Sequence, residues 1–178
     1  MTSPNDAAHR QRSTRTDGKA GLDIEAGKPI RAAPDWLPTL RRYMAWMAIA
    51  SLIWEFAHMP LYTIWETGTA SEIVFAAVHC TGGDILIALS ALVAALFLFG
   101  TGRWPEYGYW RVALSAIALG LGYTVFSEWL NVGVRGAWAY RSSMPIIPLI
   151  DVGVSPLAQW IVVPSLAFWR AICGKEHR

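Results

Sequence analysis

Five ionisable side chains stand inside long apolar stretches of this chain, where charge is costly. They are Glu55, His58, His79, Asp84 and Glu128. A buried Asp at the centre of a membrane helix costs at least ~2.5 kcal/mol on the most lenient scale, so such groups face one another or water. Intramembrane ionisable residues are functional by default. Carboxyl and imidazole groups exchange protons, which makes acid–base chemistry the first hypothesis.

The spacing of the first two residues places them on one helix face. Glu55 and His58 are three positions apart, which brings their side chains together on a helix. Pro60 follows and cannot donate to the carbonyl of Phe56. A local kink beside the Glu55–His58 pair is therefore expected.

The second group reads His-Cys-Thr-Gly-Gly-Asp over residues 79–84. Cys80 and Asp84 are four apart and share a helix face, whereas His79 and Asp84 diverge. The two glycines between them allow a neighbouring helix or a ligand to approach the backbone closely. Asp84 is expected to find its partner in His79, His58 or a protonated Glu55.

A third group surrounds Glu128. Asn131 shares its helix face, and Glu128 either takes part in the site or pairs with Arg135 near the membrane surface. Further polar and aromatic residues follow in a loop that could form a lid. We therefore predict catalytic roles for Glu55, His58, Asp84 and Glu128, and substrate binding by His79, Asn131, Trp138 and Tyr140.

Four apolar segments must position these side chains. They extend over about 43–65, 72–99, 109–132 and 156–172, and each approaches the ~20 residues that cross a bilayer. The sequence predicts an all-α, four-helix transmembrane bundle over 43–173. Residues 133–154 hold three Gly and two Pro without a helical period. They are expected to form a structured extracytoplasmic loop between helices 3 and 4, or a short fifth helix around Ile146–Val152.

The N-terminal region has a different composition. Residues 1–42 carry 13 of the 28 charged side chains, although 54% of the whole chain is hydrophobic. A segment so poor in large apolar groups cannot offset the entropy of ordering, which predicts a disordered basic cytoplasmic tail. It also lacks the apolar core of a secretory signal peptide.

The basic residues predict the orientation. Of 15 Lys and Arg, 13 fall before the first segment, between the second and third, or after the fourth. Only Arg135 and Arg141 fall on the other side, beside the acidic Glu66 and Glu72. The positive-inside rule places both termini in the cytoplasm, and short loops favour a bacterial inner membrane. This distribution argues against a nucleic-acid partner.

Helical rise then predicts the depths of the five ionisable residues below the outer face. At ~1.5 Å per residue, Glu128 lies within ~6 Å, His58 and His79 at ~10 Å, Glu55 at ~15 Å and Asp84 at ~18 Å. All five therefore occupy the outer half of the bundle. This segregation predicts one water-accessible pocket that opens outward.

Part of the chain resembles a known class of enzymes. The run from Glu128 to Tyr140, followed by Pro145, Pro148, Pro156, Trp160 and Pro164, is similar to carotenoid-biosynthesis and lycopene-cyclase-type polytopic membrane proteins. The likeness covers about residues 128–164 and lacks the Gly-Phe-Pro-type pattern of that family. It implies an acid–base enzyme acting on a lipid or isoprenoid-like substrate, with Glu128 and Tyr140 as the residues carried over.

Two other classes of function stay open. In one, His58 and His79 bind a transition metal or a haem, with Glu55, Glu128 and Cys80 as further ligands. In the other, the chain is a non-catalytic accessory subunit or a component of a proton-coupled transporter. The sequence leaves the cofactor unknown. The predicted partners are the lipid bilayer, a lipid-like small molecule and, if the chain oligomerises, its own copies.

Overall fold

The computed structural model describes residues 36–173, which are mainly helical. The predicted disorder of residues 1–35 lies outside this range. Four helices are long, and short elements connect them. In chain order the elements are helix α1 (Trp36–His58), a 3₁₀ turn (Met59–Leu61), α2 (Ile64–Thr67), α3 (Ala70–Phe99), α4 (Tyr109–Glu128), a π-helical turn (Trp129–Val134), strands β1 (Ile146–Ile147) and β2 (Val152–Gly153), and α5 (Val154–Cys173).

Three helices are long and apolar enough to cross a membrane. They are α3, α4 with its π-helical extension to Val134, and α5. The predicted membrane class is confirmed to this extent. Helix α1 is not among the three, because Arg41 and Arg42 near its start and Glu55 near its end reduce its hydropathy.

The bounds of α1 differ from the prediction of a first span over 43–65. The helix already includes residues 36–42, whose composition predicts a tail. It ends at His58, because Pro60 has no N–H to continue the helical ladder and the chain turns into a 3₁₀ segment. The predicted kink is therefore a helix end, and the short α2 follows it as a separate element.

The long helices pack in a ring. Helix α1 contacts α3 and α5, and α4 contacts the same two helices from the other side. Small residues such as Ala88, Ala116 and Ala167 are fully buried at these contacts, where they let helix backbones approach closely. Toward the ends of α1 and α5 opposite the site, the rings of Tyr43 and Phe168 stack with centroids 4.2 Å apart.

Gly120 on α4 makes room for an aromatic side chain of α5. A Cβ atom at this glycine would lie 2.1 Å from Cζ3 of Trp160. Trp160 is 3% exposed, so its ring is buried at this helix contact. The α4–α5 contact therefore requires glycine at position 120.

The stretch before α5 is an ordered loop that contains a small hairpin. Strands β1 and β2 pair antiparallel, with Ile146 opposite Gly153 and Ile147 opposite Val152. The predicted alternative of a short helix around Ile146–Val152 is wrong. Pro148 lies in the turn, where it cannot donate a helical hydrogen bond, and Asp151 adopts a positive φ of 52° that a right-handed helix excludes.

The same loop is fastened to the segment after α1. The backbone N–H of Thr63 donates to the carbonyl of Ala139 at 3.0 Å, and that of Arg141 donates to Leu61 at 2.9 Å. The Arg141 guanidinium donates to the carbonyl of Pro60 at 2.8 Å and pairs with Glu66. These bonds hold the loop over the end of α1, where the predicted site residues lie.

Candidate functional site

A cavity of about 670 Å³ lies among the end of α1, the first half of α3, the end of α4 and the start of α5. Its size is within the range of small-molecule binding sites. The five ionisable residues singled out in the sequence all line this one cavity: Glu55, His58, His79, Asp84 and Glu128. Four of them are buried, and His79 is exposed.

The histidine of α1 is hydrogen bonded on both sides. His58 Nε2 lies 3.0 Å from Glu55 Oε2, and Nδ1 lies 3.1 Å from Ser155 Oγ. Helix α1 brings the first pair together by its i,i+3 spacing, as predicted. Ser155, near the start of α5, is an additional partner. The two bonds fix the imidazole ring in one orientation.

A side-chain amide connects the two deepest carboxyl groups. Gln159 Nε2 donates to Glu55 Oε1 at 3.0 Å and to Asp84 Oδ2 at 2.6 Å. Gln159 is thus the hydrogen-bond partner of Asp84, in place of the predicted His79, His58 or Glu55. Sequence reasoning missed Gln159, although a single amide within an otherwise apolar segment was a usable signal.

Glu128 is held by the loop. Its Oε2 accepts hydrogen bonds from the Tyr140 hydroxyl and from Trp138 Nε1, the latter at 3.4 Å. Tyr140 in turn accepts from the backbone N–H of Gly153 at 3.1 Å. Burial, and then the hydrogen bond to Glu128, raise the pKa of Tyr140 well above its ordinary range, so its hydroxyl stays protonated and donates.

Asn131 and Arg135 do not make the contacts that the sequence predicted. Asn131 does not line the cavity; its amide donates to the carbonyl of Ser127 at 2.9 Å on its own helix. Arg135 donates to Asn131 Oδ1 at 3.4 Å and forms no pair with Glu128. The i,i+3 spacing had suggested a shared face for Glu128 and Asn131, but the π-helical turn that starts at Trp129 changes the angular spacing.

The remaining predicted residues also differ in whether they line the cavity. Trp138 lines the cavity, whereas Tyr140 does not and contacts the lining residues Glu128 and Tyr62 from behind. His79 lines the cavity near its opening and stacks on Phe75, with ring centroids 5.6 Å apart. Cys80 also lines the cavity and is a free thiol.

The geometry offers little to a metal ion. Within residues 36–173, no three His, Cys, Asp or Glu side chains are grouped so that they could hold one. Both ring nitrogens of His58 already have hydrogen-bond partners, so neither is free as a ligand without breaking one of these bonds. The metal or haem hypothesis on His58 and His79 gains no support from this arrangement.

Comparison with known proteins finds no match, so a functional assignment depends on the geometry of the cavity. No family model, no curated protein and no solved structure matches the chain. The resemblance of residues 128–164 to lycopene-cyclase-type proteins thus stays an expectation based on those residues.

Proposed function

We propose that this protein is a membrane enzyme that performs acid–base chemistry on a lipid or isoprenoid-like substrate. The observation that carries the proposal is a hydrogen-bonded series, His58–Glu55–Gln159–Asp84, along one wall of a small-molecule-sized cavity. Carboxyl and imidazole groups in a cavity are the usual donors and acceptors in general acid–base catalysis. A structural role alone would not call for open space beside them.

The proposed setting is a bacterial inner membrane with four spans. Helix α1 serves as the first span because it packs against α3 and α5, both of which are apolar enough to cross. The distribution of Lys and Arg then places both termini in the cytoplasm and the hairpin loop outside. In this orientation the cavity lies toward the extracytoplasmic side.

The proposed step is a redox-neutral proton transfer. One carboxylic acid protonates a carbon–carbon double bond, and the bond's electron pair forms the new C–H bond. A second group removes a proton from a neighbouring carbon, whose C–H electrons form the shifted double bond. Direct loss of that proton isomerises the substrate. Where a second double bond of the substrate first donates its electron pair to the cation, a ring-closing C–C bond forms, and the proton is lost from the new cation. In either case one proton enters, one leaves, and no co-reactant is consumed.

Aromatic side chains could stabilise the cation formed between the two transfers. Tyr62, Trp138 and Trp160 line the same cavity as the carboxyl groups. The faces of such rings attract cations, most strongly where water is excluded. The lycopene-cyclase-type resemblance agrees with this chemistry.

Gln159 has a defined place in the proposal. It holds two carboxyl groups next to each other at the closed end of the cavity. Glu55 is also bonded to His58, which provides a route for proton exchange toward Ser155. One carboxyl group can then act as the acid while the other accepts.

Deuterium incorporation tests this function with the whole set of native lipids as candidate substrates. The purified full-length protein in lipid nanodiscs is incubated in D₂O with a total lipid extract of its native cells. Carbon-bound deuterium in one lipid species is then measured by mass spectrometry. We expect incorporation with the wild type and its loss with Glu55→Gln or Asp84→Asn, which change shape little.

The matched control is Glu106→Gln, an exposed glutamate in the loop between α3 and α4. This variant should behave as the wild type. Incorporation that persists in both cavity variants, or that is absent with the wild type across the whole extract, contradicts the proposal.

A further inference from the structure

Five of the side chains that line the cavity use their hydrogen-bond donors within the protein. The hydroxyl groups of Thr63, Thr67 and Thr124 donate to backbone carbonyls at 3.3, 3.1 and 3.0 Å. The Gln159 amide donates to two carboxyl groups, and Trp138 donates to Glu128. The donors of these five side chains are therefore not free for a ligand.

Acceptors, in contrast, remain available. Both hydrogen bonds to Glu128 go to Oε2, and within residues 36–173 none reaches Oε1. Four of the residues around the cavity carry carboxyl groups and, among the described residues, none that lines it is Lys or Arg. The cavity thus complements a ligand that donates hydrogen bonds and offers neither Lys nor Arg to a negatively charged one.

The shape of the cavity indicates how such a ligand lies. Its wall on α3 extends from Glu72 to Ile87, a rise of ~22 Å along the helix. Exposure falls along this wall, from 70% at Phe75 to 8% at Asp84. The opening is therefore between α2 and the start of α3, and the closed end holds the carboxyl groups of Glu55 and Asp84.

Phe75 forms part of this opening, on a helix that is apolar enough to cross the membrane. Apolar side chains next to it, such as Val74 and Val78, are exposed on the same helix and would contact acyl chains. A long apolar ligand can consequently move from the bilayer along α3 into the cavity, with its polar end leading.

We infer that the ligand is a long-chain lipid whose head group donates hydrogen bonds and carries no negative charge, either an alcohol or an amine. The head group lies near Glu128 and Asp84, and the chain lies along α3 toward Phe75. Fatty acids and phosphorylated lipids are excluded because, among the described residues, no Lys or Arg lines the cavity to pair with their negative charge. This inference deepens the proposed function and rests on it for the identity of the ligand as a substrate.

Photocrosslinking tests the ligand class. Palmityl alcohol, palmitylamine and palmitic acid, each with the same mid-chain diazirine, are added to the full-length protein in phosphatidylcholine nanodiscs at neutral pH and irradiated. We expect the alcohol, the amine or both to label the peptide from Phe75 to Ile87 at least about tenfold more than the acid, a difference of ~1.4 kcal/mol. Excess unlabelled palmityl alcohol should remove this labelling. Labelling by the acid that equals that by the other two probes overturns the inference.

Two adjacent glycines supply the matched variants. A Cβ atom meets nothing within 4 Å at either Gly82 or Gly83, but only Gly83 lines the cavity. Gly83→Leu should abolish labelling of the cavity peptide, and Gly82→Leu should leave it unchanged. Gly83→Ala, a smaller change, should reduce it if Gly83→Leu fails to fold. Equal labelling in all three variants contradicts binding in this cavity.

The two experiments separate the two proposals. Crosslinking measures occupancy and needs no turnover, whereas deuterium incorporation measures turnover. Selective labelling without deuterium incorporation would retain the ligand class and reject the enzyme. Incorporation into a fatty acid or a phosphorylated lipid would retain the enzyme and reject the ligand class.

Discussion

Glu55 on α1 and Asp84 on α3 accept hydrogen bonds from the same nitrogen atom, Nε2 of Gln159 on α5. One amide thereby joins three helices at the closed end of the cavity. All three side chains are buried, with exposures of 5%, 8% and 4%. The stability of the site consequently depends on a residue that holds the two carboxyl groups together.

The first prediction concerns this amide. Gln159→Leu removes the donor to both carboxyl groups and leaves them buried without it, which should cost about 1–3 kcal/mol. Thermal unfolding in mild detergent measures the loss. The same substitution in a Glu55→Gln, Asp84→Asn background should cost less free energy of unfolding. The amide side chains there lose less than the carboxyl groups when the donor is removed. An equal cost in both backgrounds would show that Gln159 contributes by packing alone.

The second prediction concerns the contact between Gly120 and Trp160. Gly120→Ala places a Cβ about where the indole ring lies, so the ring must shift, at a cost of about 1–3 kcal/mol. Gly122→Ala is the matched control on the same helix, where a Cβ meets nothing within 4 Å. It should change stability by less than about 1 kcal/mol, in the stabilising direction. Similar unfolding temperatures for the two variants would contradict the tight contact.

The third prediction is a pH dependence from Tyr140. Because the pKa of its hydroxyl is raised in the folded protein, its contribution to stability is complete below the unfolded value of about 10. It is lost as the pH rises further, since the unfolded chain then releases the proton first. Between pH 8 and 11, the unfolding temperature of Tyr140→Phe should thus fall less steeply with pH than that of the wild type. Tyr107→Phe, at an exposed position, should keep the wild-type slope.

The fourth prediction separates the two bonds of Arg141. Arg141→Met removes the hydrogen bond to the carbonyl of Pro60, which leaves that part-buried group without its charged donor and should cost about 1–2 kcal/mol. Glu66→Gln removes only an ion pair to a side chain that is 59% exposed, worth about 0–1 kcal/mol. Limited proteolysis of residues 135–153 provides a local readout. Faster cleavage in Glu66→Gln than in Arg141→Met would show that the ion pair to Glu66 contributes more than the hydrogen bond to Pro60, which contradicts the prediction.

Much of the helical framework was predictable from local signals. Apolar runs predicted α3, α4 and α5. The predicted ends of α3 and α5 lie within about two residues of those observed, and α4 begins where predicted and continues beyond Glu128 as a π-helical turn. The end of α1 was harder to place, because the apolar character of residues 59–65 continues past Pro60. The proline decided the helix end, and hydropathy did not reveal it.

The candidate site was predictable only in part. The sequence indicated that Glu55, His58, His79, Asp84 and Glu128 all lie in the outer half of the bundle, and the structure places them around one cavity. Their hydrogen-bond partners were mostly missed. Gln159 is separated from Glu55 by 104 residues, and Ser155 from His58 by 97.

By itself, then, the amino-acid sequence determined which segments are helical and how far along each helix the polar residues lie. Both follow from local composition and from a constant rise per residue. Only the tertiary structure decided which partners meet, because this depends on how each helix is rotated about its axis and on the path of the loop. That rotation is set by contacts such as Trp160 against Gly120, and the loop path by hydrogen bonds such as Tyr140 to Glu128, between residues far apart in the chain.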